Sequence, residues 1–355
     1  MEEPRDRRVR VLVVDDSILN RRGIRRVLES CDRVEVVGEA ADGDEALRAV
    51  AEKKPDAITL DLEMPRMDGF TFLRILMARN PLPVIVVSSH SQKENVFRAL
   101  ELGAIDFVEK PERGFFARAA SEQLVEKVML ARTLRPKRLN VPMSPVFSPE
   151  PSTSRGLGPV SSSAVPPRFV ICIAASTGGP AALLDIFARL PDRLPAAVVV
   201  VQHMPHRFTG AFAARLDRKS NLAVREASDG ESLLARHGYV CPGGRCMEID
   251  SHGEQLRVRI VEPHSKDAYV PSADRLFRSV ARVVGSRAIG VVLTGMGTDG
   301  VEGARAIRDA RGLVVVESHD TAVVDGMPSA VIRAGVAGRV LPLPAIGELL
   351  ATLTG

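Results

Sequence analysis

Short apolar runs alternate with amphipathic segments along most of the chain. In the first 130 residues, five such runs are rich in Val, Ile and Leu, and helical spacing follows each of them. The predicted strands are Val9–Val14, Val34–Val37, Ala57–Leu60, Val84–Val87 and Ile105–Val108. Continuous apolar strands joined by helices are typical of a parallel sheet that is covered on both faces. We therefore predict a doubly wound α/β domain with five parallel strands over residues 1–132.

The alternation stops and then resumes. Residues 133–167 carry no apolar period and are rich in Pro and Ser, which predicts an extended linker. Strands are predicted again at Phe169–Ile173, Ala197–Val201, Ala288–Leu293 and Leu313–Val316. The segment from Val224 to Val261 predicts shorter strands and turns. We therefore expect a second doubly wound domain over residues 168–355, with a Rossmann-like parallel sheet and a small β-hairpin section.

Polar residues follow the predicted strands of the first domain. They are Asp15, Asp16, Asp61, Ser88 and Lys110. In open α/β sheets the ligand crevice lies at the carboxyl ends of the strands, so these side chains should converge. Three adjacent carboxylates need a cation, and oxygen ligands suit Mg²⁺, which also accepts phosphate oxygens. A lysine and a hydroxyl beside them would complete a site for a phosphoryl group. The alternative is that these are unrelated polar residues at loop ends. Their occurrence directly after the predicted strands, in the same order as those strands, disfavours it.

The second domain carries a serine in a turn between a strand and a helix. Ser176 lies within Ala174–Pro180, directly before a predicted helix whose free N–H groups could receive an anion. Three interpretations stay open on this stretch alone. Ser176 is a nucleophile, or it caps the helix before turn glycines, or the loop binds phosphate. The third has no support from a Walker or GxGxxG pattern.

Two further residues favour the nucleophile. His203 and Asp299 follow two other apolar strands, so they should share one edge of the sheet with Ser176. Serine needs a base to take its proton, histidine suits that task at neutral pH, and a carboxylate behind it would orient the imidazole. The sequence thus predicts a hydrogen-bonded Ser–His–Asp succession. Backbone N–H groups around Met296 and near Thr177 would form an oxyanion hole.

Composition excludes some partners. The net charge of +4 is scattered, the chain has no Trp, and aromatic residues make up 4%, which argues against a nucleic-acid partner. No apolar run approaches the roughly 20 residues of a membrane span, and the first strand is too short for a signal peptide. The four cysteines form no CxxC pair, which is typical of reduced, cytosolic proteins without a zinc site. We expect a cytoplasmic protein without membrane insertion.

The first domain resembles the flavodoxin-like receiver domain of response regulators, on the five strand-end residues named above. The resemblance implies that Asp61 accepts a phosphoryl group from a histidine kinase. It also implies that Ser88 bonds the phosphate, that Lys110 pairs with it and that Phe107 changes rotamer. The implied Mg²⁺ ligands are Asp15, Asp16, Asp61 and the backbone carbonyl of Glu63.

The second domain resembles the catalytic domain of CheB-type protein-glutamate methylesterases. The stretches that carry the resemblance are Ala175–Pro180, Gln202–Pro205, Pro271–Asp274, Leu293–Gly300 and Gly326–Pro328. The resemblance implies that Ser176 is the nucleophile, His203 the general base and Asp299 its orienting group. It further implies that Met296 lends its backbone N–H to the oxyanion, with Thr177 in support.

Together the two resemblances imply a phosphorylation-activated methylesterase. It would hydrolyse glutamate γ-methyl esters on the cytoplasmic helices of chemoreceptors, giving glutamate and methanol, and would also deamidate glutamine. The implied partners are a histidine kinase and methylated chemoreceptors, and no cofactor is implied for ester hydrolysis. Two places depart from the family pattern, which usually has Gly where Ala174 stands and often has His near Cys246. Two alternatives are a non-catalytic docking module switched by phosphorylation, and the same esterase in a signalling array unrelated to motility.

Overall fold

The described part of the chain divides into two units. A computed structural model describes residues 7–89, 93–110, 118–132, 134, 165–253 and 255–354. Spatial proximity separates residues 1–141 from residues 142–355. The linker predicted at 133–167 lies almost entirely outside the described residues. Among those that are described, no helix is both long and apolar enough to cross a membrane.

The first unit contains one five-stranded parallel sheet. Its strands are β1 (Val9–Val14), β2 (Val34–Ala40), β3 (Ala57–Leu60), β4 (Val84–Ser88) and β5 (Asp106–Glu109). They lie in the order β2-β1-β3-β4-β5, which is the doubly wound arrangement with a switch point between β1 and β3. The predicted five-stranded α/β domain is confirmed, and its central strands are apolar on both faces because helices cover both.

Five helices connect or follow these strands. They are α1 (Ile18–Glu29), α2 (Gly43–Lys53), α3 (Gly69–Arg79), α4 (Lys93–Glu101) and α5 (Arg118–Met129), the last continued by a 3-10 turn over Leu130–Arg132. The first three begin at the caps Ser17, Asp42 and Asp68, whose side-chain oxygens each accept a backbone N–H of the first turn. Such caps satisfy N–H groups that have no partner inside the helix, so each helix starts immediately after its strand-end loop.

The second unit is built on a larger parallel sheet. Its strands are β6 (Phe169–Ala175), β7 (Ala196–Gln202), β8 (Ala223–Glu226), β9 (His237–Val240), β10 (Cys246–His252), β11 (Gln255–Val261), β12 (Ala288–Val292), β13 (Leu313–Glu317) and β14 (Arg339–Leu341). Seven of them form one sheet in the order β14-β13-β12-β6-β7-β9-β8, while β10 and β11 form the expected antiparallel hairpin. The sequence did not predict β14, nor that β8 and β9 join the main sheet.

Helices again cover this sheet. They are α6 (Gly179–Arg189), α7 (His206–Lys219), α8 (Ala273–Val284), α9 (Val301–Asp309), α10 (Gly326–Arg333) and α11 (Leu343–Ala351), with 3-10 turns at Gly285–Arg287 and Thr352–Thr354. On α8, the residues Leu276, Phe277, Val280 and Val284 recur at helical spacing and are buried. This apolar stripe packs against the core beneath β6 and β12.

The central strand β6 fixes the position of the site. It pairs with β7 on one side and β12 on the other, and all three are parallel and buried. Their carboxyl ends therefore meet at one edge of the sheet, where the chain leaves each strand at Ser176, His203 and Leu293. Residues that follow these three strands become neighbours although they lie far apart in sequence.

Candidate active site and acidic pocket

Ser176 lies in the turn between β6 and α6. Its N–H donates to the Thr294 carbonyl at 3.0 Å, and its own carbonyl accepts the Gly179 N–H at 2.8 Å and the Gln202 side-chain amide at 2.9 Å. Gly178, with φ of 79°, is the cap of α6, and no side chain caps that helix. The helix-capping interpretation of Ser176 is therefore wrong. Its hydroxyl forms no hydrogen bond with any residue that the structure describes.

His203 is the neighbour of Ser176 across the sheet. Strands β6 and β7 pair through Ala175 and Gln202. The residues that follow these two, Ser176 and His203, are therefore neighbours. The His203 N–H continues the ladder by donating to the Ala175 carbonyl at 3.0 Å. Adjacent strands lie about 5 Å apart, so the serine and the imidazole start from neighbouring backbone positions.

Asp299 binds the imidazole from the loop between β12 and α9. Its Oδ2 lies 2.9 Å from Nε2 of His203, and the carboxylate is buried. The same carboxylate accepts the N–H of Ala273 at 2.7 Å and that of Asp274 at 3.0 Å. These are the first N–H groups of α8, so the positive end of a helix stabilises the negative charge.

This geometry assigns the imidazole tautomer. An ionised carboxylate only accepts hydrogen bonds, so Nε2 of His203 carries the proton that faces Asp299. Nδ1 is then the nitrogen that can take a proton from another group. The described residues include no hydrogen bond between Ser176 and His203, so only one of the two predicted links is formed. Catalytic hydrogen bonds are often long without substrate and tighten when it binds.

An aromatic ring covers the imidazole. Tyr269 and His203 have ring centroids 5.3 Å apart and planes that differ by 1°. The Tyr269 hydroxyl accepts the Thr298 N–H at 3.2 Å. Tyr269 was not predicted from sequence, because one aromatic residue in a loop forms no pattern. The one sequence signal for Tyr269 is its position two residues before Pro271, which begins one of the stretches that carry the resemblance to the CheB family.

The turn after β12 lies against Ser176. A Cβ added at Gly295 would stand 2.7 Å from the Ser176 Cβ, a distance that real side chains do not reach, so only glycine fits. The Met296 N–H donates to no residue within the described ranges, which leaves it available for a substrate oxygen. Thr177 is buried, and its carbonyl accepts the Thr294 hydroxyl at 2.9 Å.

Thr294 joins these two turns. Besides accepting the Ser176 N–H on its carbonyl, it donates its own N–H to Glu317 Oε2 at 2.8 Å. Its hydroxyl also accepts the Val324 N–H at 2.9 Å. Thr294 and Glu317 are each 1% exposed, so these bonds are shielded from water. Neither Thr294 nor Glu317 was given a role from sequence, because both lie inside apolar strand-end segments.

The predicted strand-end residues of the first unit also converge. The carboxylates of Asp15, Asp16 and Asp61 each offer an oxygen within 4.8 Å of the others. Lys110 Nζ lies 2.6 Å from Asp61 Oδ2 and 3.1 Å from Asp15 Oδ2. Asp15 and Asp61 are buried, whereas Asp16 is exposed. We call these four residues the acidic pocket. Oxygen donors open to solvent on one side fit Mg²⁺, which keeps several waters.

Burial controls the charge of the acidic pocket. It raises the pKa of Asp61 to about 6, with Asp15 acting in the same direction and Lys110 against it. For Lys110, desolvation favours the neutral amine, but Asp61 and Asp15 outweigh it and hold the Lys110 pKa above its usual range. The lysine is therefore a cation that partly neutralises the buried carboxylates.

The other predicted site residues of the first unit are Ser88, Phe107 and Glu63, which lie in strands β4 and β5 or in the loop after β3. Ser88 ends β4 and is buried. Phe107 lies in β5 with 2% exposure, and Lys127 donates to its carbonyl at 2.7 Å. The Glu63 N–H donates to Asp61 Oδ1 at 3.4 Å, so the backbone of Glu63 follows the same loop.

Comparison with known proteins decides the family. The model of the CheB methylesterase family matches residues 171–350, and that of the response regulator receiver domain matches residues 11–116. Protein-glutamate methylesterase/protein-glutamine glutaminase 1 of Myxococcus xanthus is 46% identical over 97% of both chains. The chain belongs to the CheB methylesterase family. Protein-glutamate methylesterase/protein-glutamine glutaminase 3 of Geobacter sulfurreducens is also 46% identical, over 95% of this chain and 95% of the relative.

A solved structure supports the same assignment for the CheB methylesterase unit. The crystal structure of the Thermotoga maritima CheB methylesterase catalytic domain superimposes with a TM-score of 0.51 and 38% identity. It covers 52% of this chain and 98% of that chain. The resemblance to the receiver and CheB families that the sequence suggested is thus confirmed, and the matched ranges contain all of the candidate residues described above.

The two departures from the CheB pattern are both buried. An added Cβ at Gly300 would lie 3.9 Å from the Ala174 Cβ, so the alanine packs beneath the turn that follows Asp299. Cys246 begins β10, and its Sγ lies 3.9 Å from Asp267 Oδ2. Burial raises the pKa of this thiol, which is consequently neutral at physiological pH.

Proposed function

We propose that this chain is a phosphorylation-activated protein-glutamate methylesterase. It hydrolyses γ-methyl esters of glutamate on chemoreceptor helices and releases methanol. The observation that carries the proposal is the hydrogen bond between His203 and the buried Asp299, beside the Ser176 turn. The names of the relatives supply the substrate class, because each is called a protein-glutamate methylesterase/protein-glutamine glutaminase.

The reaction begins when the Ser176 oxygen attacks the ester carbonyl. His203 takes the hydroxyl proton on Nδ1, while Asp299 at Nε2 stabilises the imidazolium that forms. The carbonyl oxygen becomes an oxyanion, which the Met296 N–H and the amides of the turn at Thr177 receive. Collapse of this intermediate breaks the bond to the methoxy group, and His203 returns the proton so that methanol leaves.

The second half of the reaction frees the enzyme. The glutamyl group is now an ester of Ser176, and water attacks it while His203 accepts one proton of that water. The bond to Ser176 breaks, the serine regains its proton from His203, and the γ-carboxylic acid that is released loses its proton to solvent. A glutamine side chain would form the same acyl-enzyme with loss of ammonia. We therefore propose glutamine deamidation at the same site, as the relatives' names suggest.

We propose that Asp61 is the phosphoryl acceptor. The phosphodonor would be a histidine kinase, and Ser88 and Lys110 would bind the transferred group. Asp15, Asp16, Asp61 and the Glu63 carbonyl would hold Mg²⁺, which neutralises phosphoryl charge when bound. The support is the convergence of three carboxylates and a lysine in a region that matches the receiver family. We place the protein in the cytoplasm, where kinase and receptor helices would meet it.

Replacement of the serine tests the catalytic proposal. Ser176→Ala should lower methanol release from methylated receptor by at least about 10³-fold, because the substitution removes the attacking oxygen. Amide hydrogen exchange in β6 and β7 should be unchanged, which shows that the second unit of the variant folds. Ser228→Ala, an exposed serine on a loop, is the matched control and should keep wild-type turnover. Retained turnover in Ser176→Ala would reject Ser176 as the nucleophile, whereas a wild-type protein that releases no methanol would favour the non-catalytic docking module.

Replacement of the acceptor tests the regulation. We expect a small acyl phosphate with Mg²⁺ to raise methanol release by the wild type and to leave Asp61→Asn at its basal rate. The basal rates should be equal, because Asp61 lies in the other unit from Ser176. Equal stimulation of both proteins would show that activation does not pass through Asp61.

A further inference from the structure

Among the residues that the structure describes, Tyr269 is the one whose ring lies flat against His203. It stands in the loop before α8 and is half-buried, with its ring parallel to the imidazole. Its hydroxyl accepts the N–H of Thr298, the residue directly before Asp299. One tyrosine therefore contacts the imidazole through its face and the loop of the partner carboxylate through its oxygen.

We propose that Tyr269 is a positioning residue for the esterase reaction. It holds the His203 ring in the plane in which Nδ1 can reach Ser176, and through Thr298 it holds the Asp299 loop at its distance from Nε2. The inference rests on the proposed roles of Ser176, His203 and Asp299. It adds a residue that makes no bond to the scissile group.

The need for such a residue follows from the hydrogen bonds of the imidazole. Among the described residues, Nε2 is the one ring nitrogen of His203 with a hydrogen bond, so a single hydrogen bond opposes rotation of the ring about the Cβ–Cγ bond. A flat aromatic neighbour opposes this rotation as well, because offset stacking favours one ring plane. A ring that drifts by about 1 Å can cost roughly 10²-fold in rate, since the reacting atoms lose their alignment.

The stack also acts on charge. His203 becomes positively charged when it takes the serine proton, and a cation is attracted to the electron-rich face of an aromatic ring. The carboxylate of Asp299 contacts Nε2 of the ring, and it stays in place when only Tyr269 is changed. Removal of the ring should therefore disfavour the imidazolium relative to the wild type.

Two substitutions separate the ring from the hydroxyl. Tyr269→Phe keeps the stack but loses the acceptor for Thr298, and Tyr269→Leu loses both. We expect kcat to fall about 10- to 100-fold in Tyr269→Leu and clearly less in Tyr269→Phe, with KM changed less than about 3-fold in each. The acidic limb of the kcat/KM profile should move to lower pH in Tyr269→Leu and stay in place in Tyr269→Phe.

The other tyrosine of the chain is the control. Tyr239 is buried in β9, where its hydroxyl donates to the Ser232 carbonyl at 2.9 Å and its ring stacks on His237. Tyr239→Phe removes one hydroxyl from the same unit and should lower stability while leaving kcat and the pH profile unchanged.

The outcomes distinguish the inference from the proposed function. If wild-type protein releases methanol and Ser176→Ala does not, the proposed function stands. A Tyr269→Leu variant with wild-type kcat and an unmoved acidic limb would then overturn the positioning role alone. A loss confined to KM would also overturn it, because Tyr269 would then bind substrate and not align the imidazole.

Discussion

A single carboxyl group, that of Asp61, shows how burial prepares a residue for chemistry. Only 1% of Asp61 is exposed, and its pKa lies near 6 instead of its ordinary 3.8 because desolvation outweighs the attraction of Lys110. Between these two pH values the folded protein holds a proton that the unfolded chain has released. The free energy of unfolding consequently falls as pH rises from about 4 to 6, by about 2–3 kcal/mol from this group.

We therefore predict that Asp61→Asn stabilises the first unit at pH 7.5 more than at pH 4.5, in the absence of Mg²⁺. The amide carries no charge to desolvate, and Lys110 keeps Asp15 as its partner at 3.1 Å. Amide hydrogen exchange in β1 and β3 measures the unfolding free energy of this unit alone. Asp32→Asn, at an exposed position, is the control. A gain from Asp61→Asn that is equal at the two pH values would contradict the prediction.

Among the elements, the two turns after β6 and β12 decide whether the site forms. Hydrogen bonds of Thr294 join the two turns. Its carbonyl accepts the Ser176 N–H, its hydroxyl donates to the Thr177 carbonyl, and its N–H donates to Glu317. The approach is close enough that Gly295 has no room for a side chain beside Ser176. The turns thus transmit any shift of the β12 end directly to the serine.

Gly295→Ala should abolish turnover in a folded protein. The new Cβ would meet Met327 Sδ at 2.5 Å and Ser176 Cβ at 2.7 Å, so the serine turn must move. We expect methanol release to fall at least about 10²-fold, since a displacement of about 1 Å has that effect. Labelling of Ser176 by a serine-directed reagent should slow in parallel, and unchanged labelling would show that the turn had absorbed the methyl group elsewhere.

Gly210→Ala is the matched control for this substitution. Gly210 lies within α7, and an added Cβ would stand 3.5 Å from the nearest atom, Glu226 Oε2, which is an ordinary contact. Alanine is the better helix residue, so the free energy of unfolding of the second unit should rise by about 0.5–1 kcal/mol. Methanol release by the Gly210→Ala variant should equal that of the wild type.

At the scale of the whole molecule, each of the two units has its own sheet and its own candidate site. A crystal structure exists of the Thermotoga maritima CheB methylesterase catalytic domain, and 98% of that domain aligns with 52% of this chain. A unit with a closed core and a complete site needs no residues from elsewhere to fold.

We predict that a fragment of residues 165–355 folds and releases methanol from methylated receptor. An acyl phosphate with Mg²⁺ should not change its rate, because the fragment lacks Asp61 and the rest of the acidic pocket. The full chain, assayed beside it, should respond. A fragment that is folded but inactive would show that the first unit contributes to catalysis.

Most strands and both candidate sites could be predicted from sequence because their signals are local. A run such as Ala197–Val201 favours a buried strand through its own residues, and β7 covers it. The segment Arg339–Leu341 has no such signal, since it is short and partly exposed. It becomes β14 only because β13 offers it a partner.

The sequence by itself determined the fold class, the strand-end positions of Ser176, His203, Asp299 and Asp61, and the family. These features depend on hydrophobic periodicity and on the residue types that directly follow each strand. Both are properties of residues that are close together in sequence. Tertiary structure alone decided that Nε2 of His203 faces Asp299 and that Tyr269 covers the ring. The reason is physical: such contacts join residues far apart in sequence, so their geometry exists only after the sheet and the turns have packed.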